Sequence, residues 1–322
     1  MTVRRARCPS RIGLLALGIA AALLIPLSAC SVLSDTVDLG VPGVAGRWID
    51  VVGGAGATPA QLARRALVTS PDDVTPRRGA LLTPSPGRRS SDGAAATDLL
   101  PLVVVVHGLG FDAERMAAAT RWPEFAAGHR VVVAFAEGIE ASFNAGPCCG
   151  GAVADDIDDV GYLESVIDAV ANLYPVDRSR VFLTGHSNGG MMTYRFACEH
   201  PELIAGAASV AGTMLTPCAP AVPVSFLQIS GRDDTVVPIS GGESSAPGLG
   251  TFPSVVDSVS AMAAAAGCAP PVNRQFGGVD STEWNDCADG TRVAFDAVPA
   301  AHEYPELGAY SSTERIVTFW GL

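Results

Sequence analysis

The chain has no lysine, so all 21 of its basic residues are arginine. This is a trait of genome composition rather than of function. The 33 acidic residues outnumber them, giving a formal charge of -12. No basic tract with interleaved aromatics interrupts that balance. Such a surface repels polyanions, so nucleic acid is excluded as a partner. No two histidines stand at i, i+4, and no Cys/His cluster has ligand spacing, so no metal site is expected. A CxxC pair is missing, which removes the zinc ribbon and the dithiol redox motif. There is neither a phosphate-cradling glycine loop nor an internal repeat. No cofactor is therefore expected.

What is present begins with a targeting signal. Arg4, Arg5, Arg7 and Arg11 precede an apolar run over 12–27, too short and wrongly flanked for an ordinary spanning helix. It ends in Leu27-Ser28-Ala29-Cys30, which resembles a bacterial lipobox. Residues 1–29 are read as a lipoprotein signal peptide, and Cys30 as the lipidated mature N-terminus. The Gly-, Ser-, Pro- and Asp-rich stretch 30–46 is read as a tether. The expected location is extracellular, on the cell envelope, with the membrane reached through the lipid. The remaining 47–322 is expected to be one catalytic domain, and 48% apolar composition is enough for its core.

Six cysteines remain after Cys8 and Cys30: Cys148, Cys149, Cys198, Cys218, Cys268 and Cys287. An even number in an exported chain suggests disulfides. Cys268 and Cys287 close a short loop and form the favoured pair. Adjacent cysteines rarely bond each other, so Cys148 and Cys149 are expected to bond elsewhere, with Cys198 and Cys218 as candidates.

Continuous apolar runs mark strands buried on both faces at 102–106 and 131–135, 181–184 is a third strand, and 205–210 and 224–230 read as two more. A first strand is expected at 47–52, another at 79–83 and a last one at 292–297. Residues 53–78 give no clear pattern, and 87–98 reads as an exposed loop. Asp158 or Asp159 caps a helix whose apolar face carries Val160, Leu163, Val166, Ile167 and Val170. Further helices are expected at 190–199 and 312–320. The alternation predicts an α/β class chain, with a mainly parallel central sheet and helices on both faces.

Gly185-His186-Ser187-Asn188-Gly189 fits G-x-S-x-G, and it follows a strand and opens a helix. That context is the nucleophile elbow of an α/β-hydrolase fold, with Ser187 as nucleophile. In this fold an acid and then a histidine follow the serine. Of the two later histidines, His200 sits three turns down the elbow helix, which leaves His302 as base. Asp234, just after the 224–230 strand, is the favoured acid and Asp233 the alternative. Asp257, Asp280, Asp286, Asp289 and Asp296 read as solvated or turn carboxylates. Two backbone N–H groups must bind the oxyanion: that of Asn188, and that of Leu109 in the glycine-flanked loop after 102–106. His107 precedes the nucleophile and reads as loop-shaping.

Several blocks resemble the bacterial polyhydroxybutyrate depolymerase-like esterases. They are Asn144-Ala145-Gly146-Pro147-Cys148-Cys149-Gly150, Asp158-Asp159-Val160-Gly161-Tyr162-Leu163, Tyr174-Pro175-Val176-Asp177 and the elbow through Met192. The group is also similar to the feruloyl and acetyl-xylan esterases of carbohydrate esterase family one. The resemblance covers about residues 79–322. It implies Ser187 as nucleophile, Asp234 within Gly231-Arg232-Asp233-Asp234-Thr235-Val236-Val237-Pro238, and His302 as base. The family's His-Thr-Trp-Pro-Gly reads His302-Glu303-Tyr304-Pro305 here, and Phe143 stands where the family often has Trp. Those changes are expected to line the substrate cleft. Only twenty residues follow His302, without a polymer-binding module, so small or oligomeric esters are the expected substrates. A non-catalytic envelope scaffold and a serine peptidase of the same fold are the alternatives.

Overall fold

The run Leu100–Val106 is buried at every position. Leu102, Val104 and Val106 enter one core while Val103 and Val105 enter another, as a strand covered on both faces requires. The computed structural model describes residues 36–51, 64–71, 73–74, 76, 99–218, 220–308 and 310–322. The signal over 1–29, Cys30 and the strand expected at 79–83 lie outside the described residues.

In chain order, β1 (Thr36–Val37), β2 (Val44–Val51) and β3 (Arg64–Pro71) precede β4 (Leu100–Val106). Next come α1 (Ala113–Ala119), α2 (Trp122–Gly128), β5 (Val132–Ala136), the one-turn α3 (Gly151–Ala154) and α4 (Asp159–Leu173). Strand β6 (Val176–His186) leads into α5 (Asn188–Glu199), then β7 (Gly206–Val210) and β8 (Ser225–Gly231). A ribbon of β9 (Gly242–Glu243) and β10 (Thr251–Phe252) comes before α6 (Val255–Ala265). The chain continues with β11 (Val272–Phe276), β12 (Val279–Trp284) and β13 (Val293–Val298). A second ribbon, β14 (Glu306–Leu307) with β15 (Tyr310–Ser311), precedes α7 (Ser312–Trp320).

Eleven strands form one sheet in the order β1-β2-β3-β5-β4-β6-β7-β8-β13-β12-β11. The six central strands from β5 to β13 are parallel. Both edges are antiparallel. The parallel expectation thus describes the middle of the sheet, where crossover helices connect the strands. The β11–β12 edge needs no crossover, because Gly277 and Gly278, both at positive φ, close a two-residue hairpin.

Helices α4, α5 and α6 bury their apolar sides on one face, and α1, α2 and α7 on the other. In α4 the expected stripe of Val160, Leu163, Val166, Ile167 and Val170 is buried, and Asp158 caps the helix by accepting from the Gly161 N–H at 2.9 Å. Leu322 lies with residues 99–101 and 129–131 around a surface pocket at the N-terminal rim of β4 and β5.

The cysteines pair as Cys148–Cys149, Cys198–Cys218 and Cys268–Cys287. The adjacent pair corrects the expectation that each would bond elsewhere. Cys198 and Cys218 face each other with Cα atoms 5.9 Å apart and take one another. That leaves Cys148 and Cys149, whose joining peptide is cis and whose Cα atoms lie 3.1 Å apart.

Candidate active site

Ser187 sits between the end of β6 and the start of α5 with φ 54° and ψ -118°. A side chain at positive φ is strained, and the surroundings must hold it. Here the Ser187 N–H donates to the Val210 carbonyl at 2.8 Å. The turn also needs bare backbone on both sides. A Cβ at Gly185 would meet the Gly189 carbonyl oxygen at 2.4 Å, and one at Gly189 would meet the Val106 carbonyl oxygen at 2.2 Å. Steric closeness thus explains both glycines of the pentapeptide.

The imidazole of His302, on the loop after β13, spans the gap between Ser187 and Asp234. Its Nε2 lies 2.8 Å from Ser187 Oγ and its Nδ1 lies 2.8 Å from Asp234 Oδ2. With a carboxylate at Nδ1, that nitrogen carries the proton and Nε2 is left to accept from the serine hydroxyl. Asp234 follows β8 and has a fully buried side chain. Its Oδ1 accepts from the N–H groups of Val236 and Val237 at 2.9 and 2.8 Å, which fixes the carboxylate. Asp233 is exposed and takes no part in this contact. His200 caps the end of α5 beside Glu202, remote from Ser187 in the fold.

Gly108 packs on the elbow, since a Cβ there would lie 3.4 Å from Ser187 Cβ. Leu109 follows it, partly exposed, and the Gly110 N–H ties the loop to the Ala141 carbonyl at 2.8 Å. Asn188 is the first residue of α5, where an N–H has no partner within the helix. Asn188 thus adjoins the serine in the chain, and Leu109 adjoins Gly108, which packs on it.

Two other histidines shape this rim. His107 is fully buried; its Nδ1–H donates to the Gly108 carbonyl and its Nε2 accepts from the Gly138 N–H, each at 2.9 Å. His186 is buried with its ring 5.3 Å from that of His302. Burial lowers His107 to about 4, and burial with the neighbouring His302 lowers His186 to about 3. Both are depressed below the free value of 6.5, so the unfolded chain binds their protons first. The stability they contribute is complete above pH 6.5 and is lost as pH falls through about 4 and then 3. Thermal melts should show Tm falling across that acid window, and His107→Gln should flatten the fall. An acid limb with the same slope in the variant would refute this assignment.

Phe143 does not reach an open cleft, contrary to expectation. Phe143 is fully buried against the His107 ring at 4.7 Å. Tyr304 turns inward, and its hydroxyl accepts from Trp122 Nε1 at 3.0 Å. Asp296 is likewise no solvated carboxylate: it is buried on β13 and accepts from Ser281, Tyr310 and Arg315. An ion pair between Arg64 Nη1 and Asp159 Oδ1, buried at 2.6 Å, had no signal in the sequence. Among the described residues, no group of three or more His, Cys, Asp or Glu side chains is placed to hold a metal ion.

Residues 154–264 match the phospholipase/carboxylesterase family model. The chain is similar to the putative esterase NocK of Nocardia uniformis subsp. tsuyamanensis, with 36% identity over 144 residues, 44% of this chain and 42% of that one. It is similar to feruloyl esterase B of Piromyces equi at 29% identity over 152 residues, 44% of this chain and 27% of the relative. Feruloyl esterase C of Emericella nidulans matches at 29% identity, over 48% of this chain and 54% of its own length. The matches thus span about half or less of these relatives. The acetyl xylan esterase of Aspergillus awamori shares the fold, with a TM-score of 0.55 over 84% of this chain and 98% of that one, at 13% identity. By its sheet, its elbow and the likeness to that structure the chain has the α/β-hydrolase fold, and its residues 154–264 are similar to the phospholipase/carboxylesterase family.

Proposed function

We propose that this protein is a secreted serine hydrolase of carboxylic esters, acting on small or oligomeric substrates of the feruloyl or acetyl-xylan ester type. The observation that carries the reading is the relay of two 2.8 Å contacts from Ser187 through His302 to Asp234. His302 Nε2 takes the serine proton as Oγ attacks the ester carbonyl, and Asp234 stabilises the imidazolium without taking its proton. The carbonyl oxygen becomes an oxyanion held by the N–H groups of Leu109 and Asn188. Collapse expels the alcohol, which receives the proton from His302 and leaves an acyl-Ser187. Water, activated by the same imidazole, then releases the carboxylic acid and restores the serine. The names of the relatives support ester rather than amide substrates. Three disulfides suit an oxidising compartment outside the cytoplasm, where a lipid on Cys30 would hold the enzyme at the envelope.

The test is direct. A fluorophosphonate should label Ser187, and a panel of acetyl, butyryl, hydroxybutyryl and feruloyl esters should be hydrolysed with at least one clear preference. Protein that is folded yet inert to both probe and panel would leave the scaffold alternative standing.

A further inference from the structure

The carboxamide of Asn188 is buried and bound at both its oxygen and its nitrogen by one residue. Its Oδ1 accepts from the Phe143 N–H at 2.8 Å, and its Nδ2 donates to the Phe143 carbonyl at 2.9 Å. This two-point contact joins the first residue of the elbow helix to a loop 45 positions earlier. The loop is itself anchored. The Asn144 N–H donates to Asp159 at 2.6 Å, Asp159 is paired with Arg64, and Arg195 of α5 donates to the Asn144 carbonyl at 2.5 Å. On its other side the Phe143 ring rests on His107, whose Nδ1–H reaches the Gly108 carbonyl. A chain of contacts therefore runs from Asn188 through Phe143 and His107 to the peptide preceding Leu109.

We propose that the Asn188 side chain is a positioning residue, which sets the spacing of the two oxyanion donors by clamping the elbow onto the Phe143 backbone. This rests on the ester-hydrolase reading. The physical argument is preorganisation. Donors aimed at a developing charge help only if they are held where that charge appears, and each backbone group here sits at the edge of a different loop. A carboxamide that donates and accepts at once fixes both distance and rotation. A carboxylate at the same position keeps the acceptor but sets an oxygen against the Phe143 carbonyl, and an alanine leaves both Phe143 groups unpartnered in the interior.

The experiment compares wild-type full chain with Asn188→Asp and Asn188→Ala. It follows p-nitrophenyl acetate turnover, affinity for a trifluoromethyl ketone that forms a tetrahedral adduct, and hydrogen exchange at the Phe143 amide. The expected result is a loss in kcat of about tenfold or more with little change in KM, and a matching loss of ketone affinity. Phe143 exchange should quicken while the amides of the central strands keep their protection. A folded variant with wild-type kcat and ketone affinity would overturn the proposal. So would a Phe143 amide in the wild type that exchanges as fast as an open loop, a result that needs no variant to fold. Wild-type protein inert to every ester would overturn the hydrolase reading and this proposal with it, whereas an active wild type with unimpaired folded variants overturns the proposal alone.

Discussion

Ser187→Ala is expected to lower ester turnover by about 10⁴- to 10⁶-fold, with the folded state intact. The size follows from what the substitution removes. No acyl-enzyme can form without Oγ, and His302 loses the proton donor 2.8 Å from its Nε2. The oxyanion donors remain, so residual catalysis should persist above the rate in water. His302→Ala added to Ser187→Ala should cost little more, because the two act as one device. Stopped assays with a chromogenic acetate, circular dichroism for fold, and absence of fluorophosphonate labelling check the outcome. A variant that keeps even a tenth of wild-type turnover would place the nucleophile elsewhere.

Loss of the buried ion pair should be the largest single effect on stability. Arg64 and Asp159 are both almost wholly buried, and burial raises the Asp159 carboxyl while the Arg64 guanidinium and the Asn144 N–H pull it back. The guanidinium also stacks on Tyr162, 3.3 Å from the ring centroid, and donates to the Glu137 carbonyl. Asp159→Ala leaves that cation buried without its counter-ion, which costs about 3–5 kcal/mol. The exposed pair of Arg178 and Asp168 provides the contrast, since Asp168→Ala should cost about 1 kcal/mol or less. Urea unfolding of the two variants, read as a shift in midpoint at constant slope, decides between them. Equal shifts would mean that the buried pair is no more important than a surface one.

The parts of this molecule written in local pattern could be read in advance. The buried strands β4 and β5 and the end of β6 announce themselves as apolar runs, and the elbow as small residues around a serine between strand and helix. His302 emerged by chain order and elimination. What stayed hidden depends on contacts between distant residues. Strand β3 begins with a buried arginine, whose role appears only when Asp159, 95 positions later, lies beside it. Helices α1 and α2 are short, and α6 is rich in alanine, so none shows a strong apolar stripe. Phe143, expected at the cleft because it stands where the related esterases often have Trp, has its ring enclosed by His107 and Arg64. The bond between Cys148 and Cys149 ran against a sound geometric prior, and only the mutual capture of Cys198 and Cys218 resolved it.

The serine, the acid and the imidazole all follow the C-terminal ends of parallel strands, whereas Leu322 borders residues 99–101 and 129–131 where β4 and β5 begin. The molecule therefore has a working rim and a quiet one. Anything joined after Leu322, whether a label, a bead or a neighbouring protein, would hang from the quiet side and leave the approach to Ser187 unobstructed.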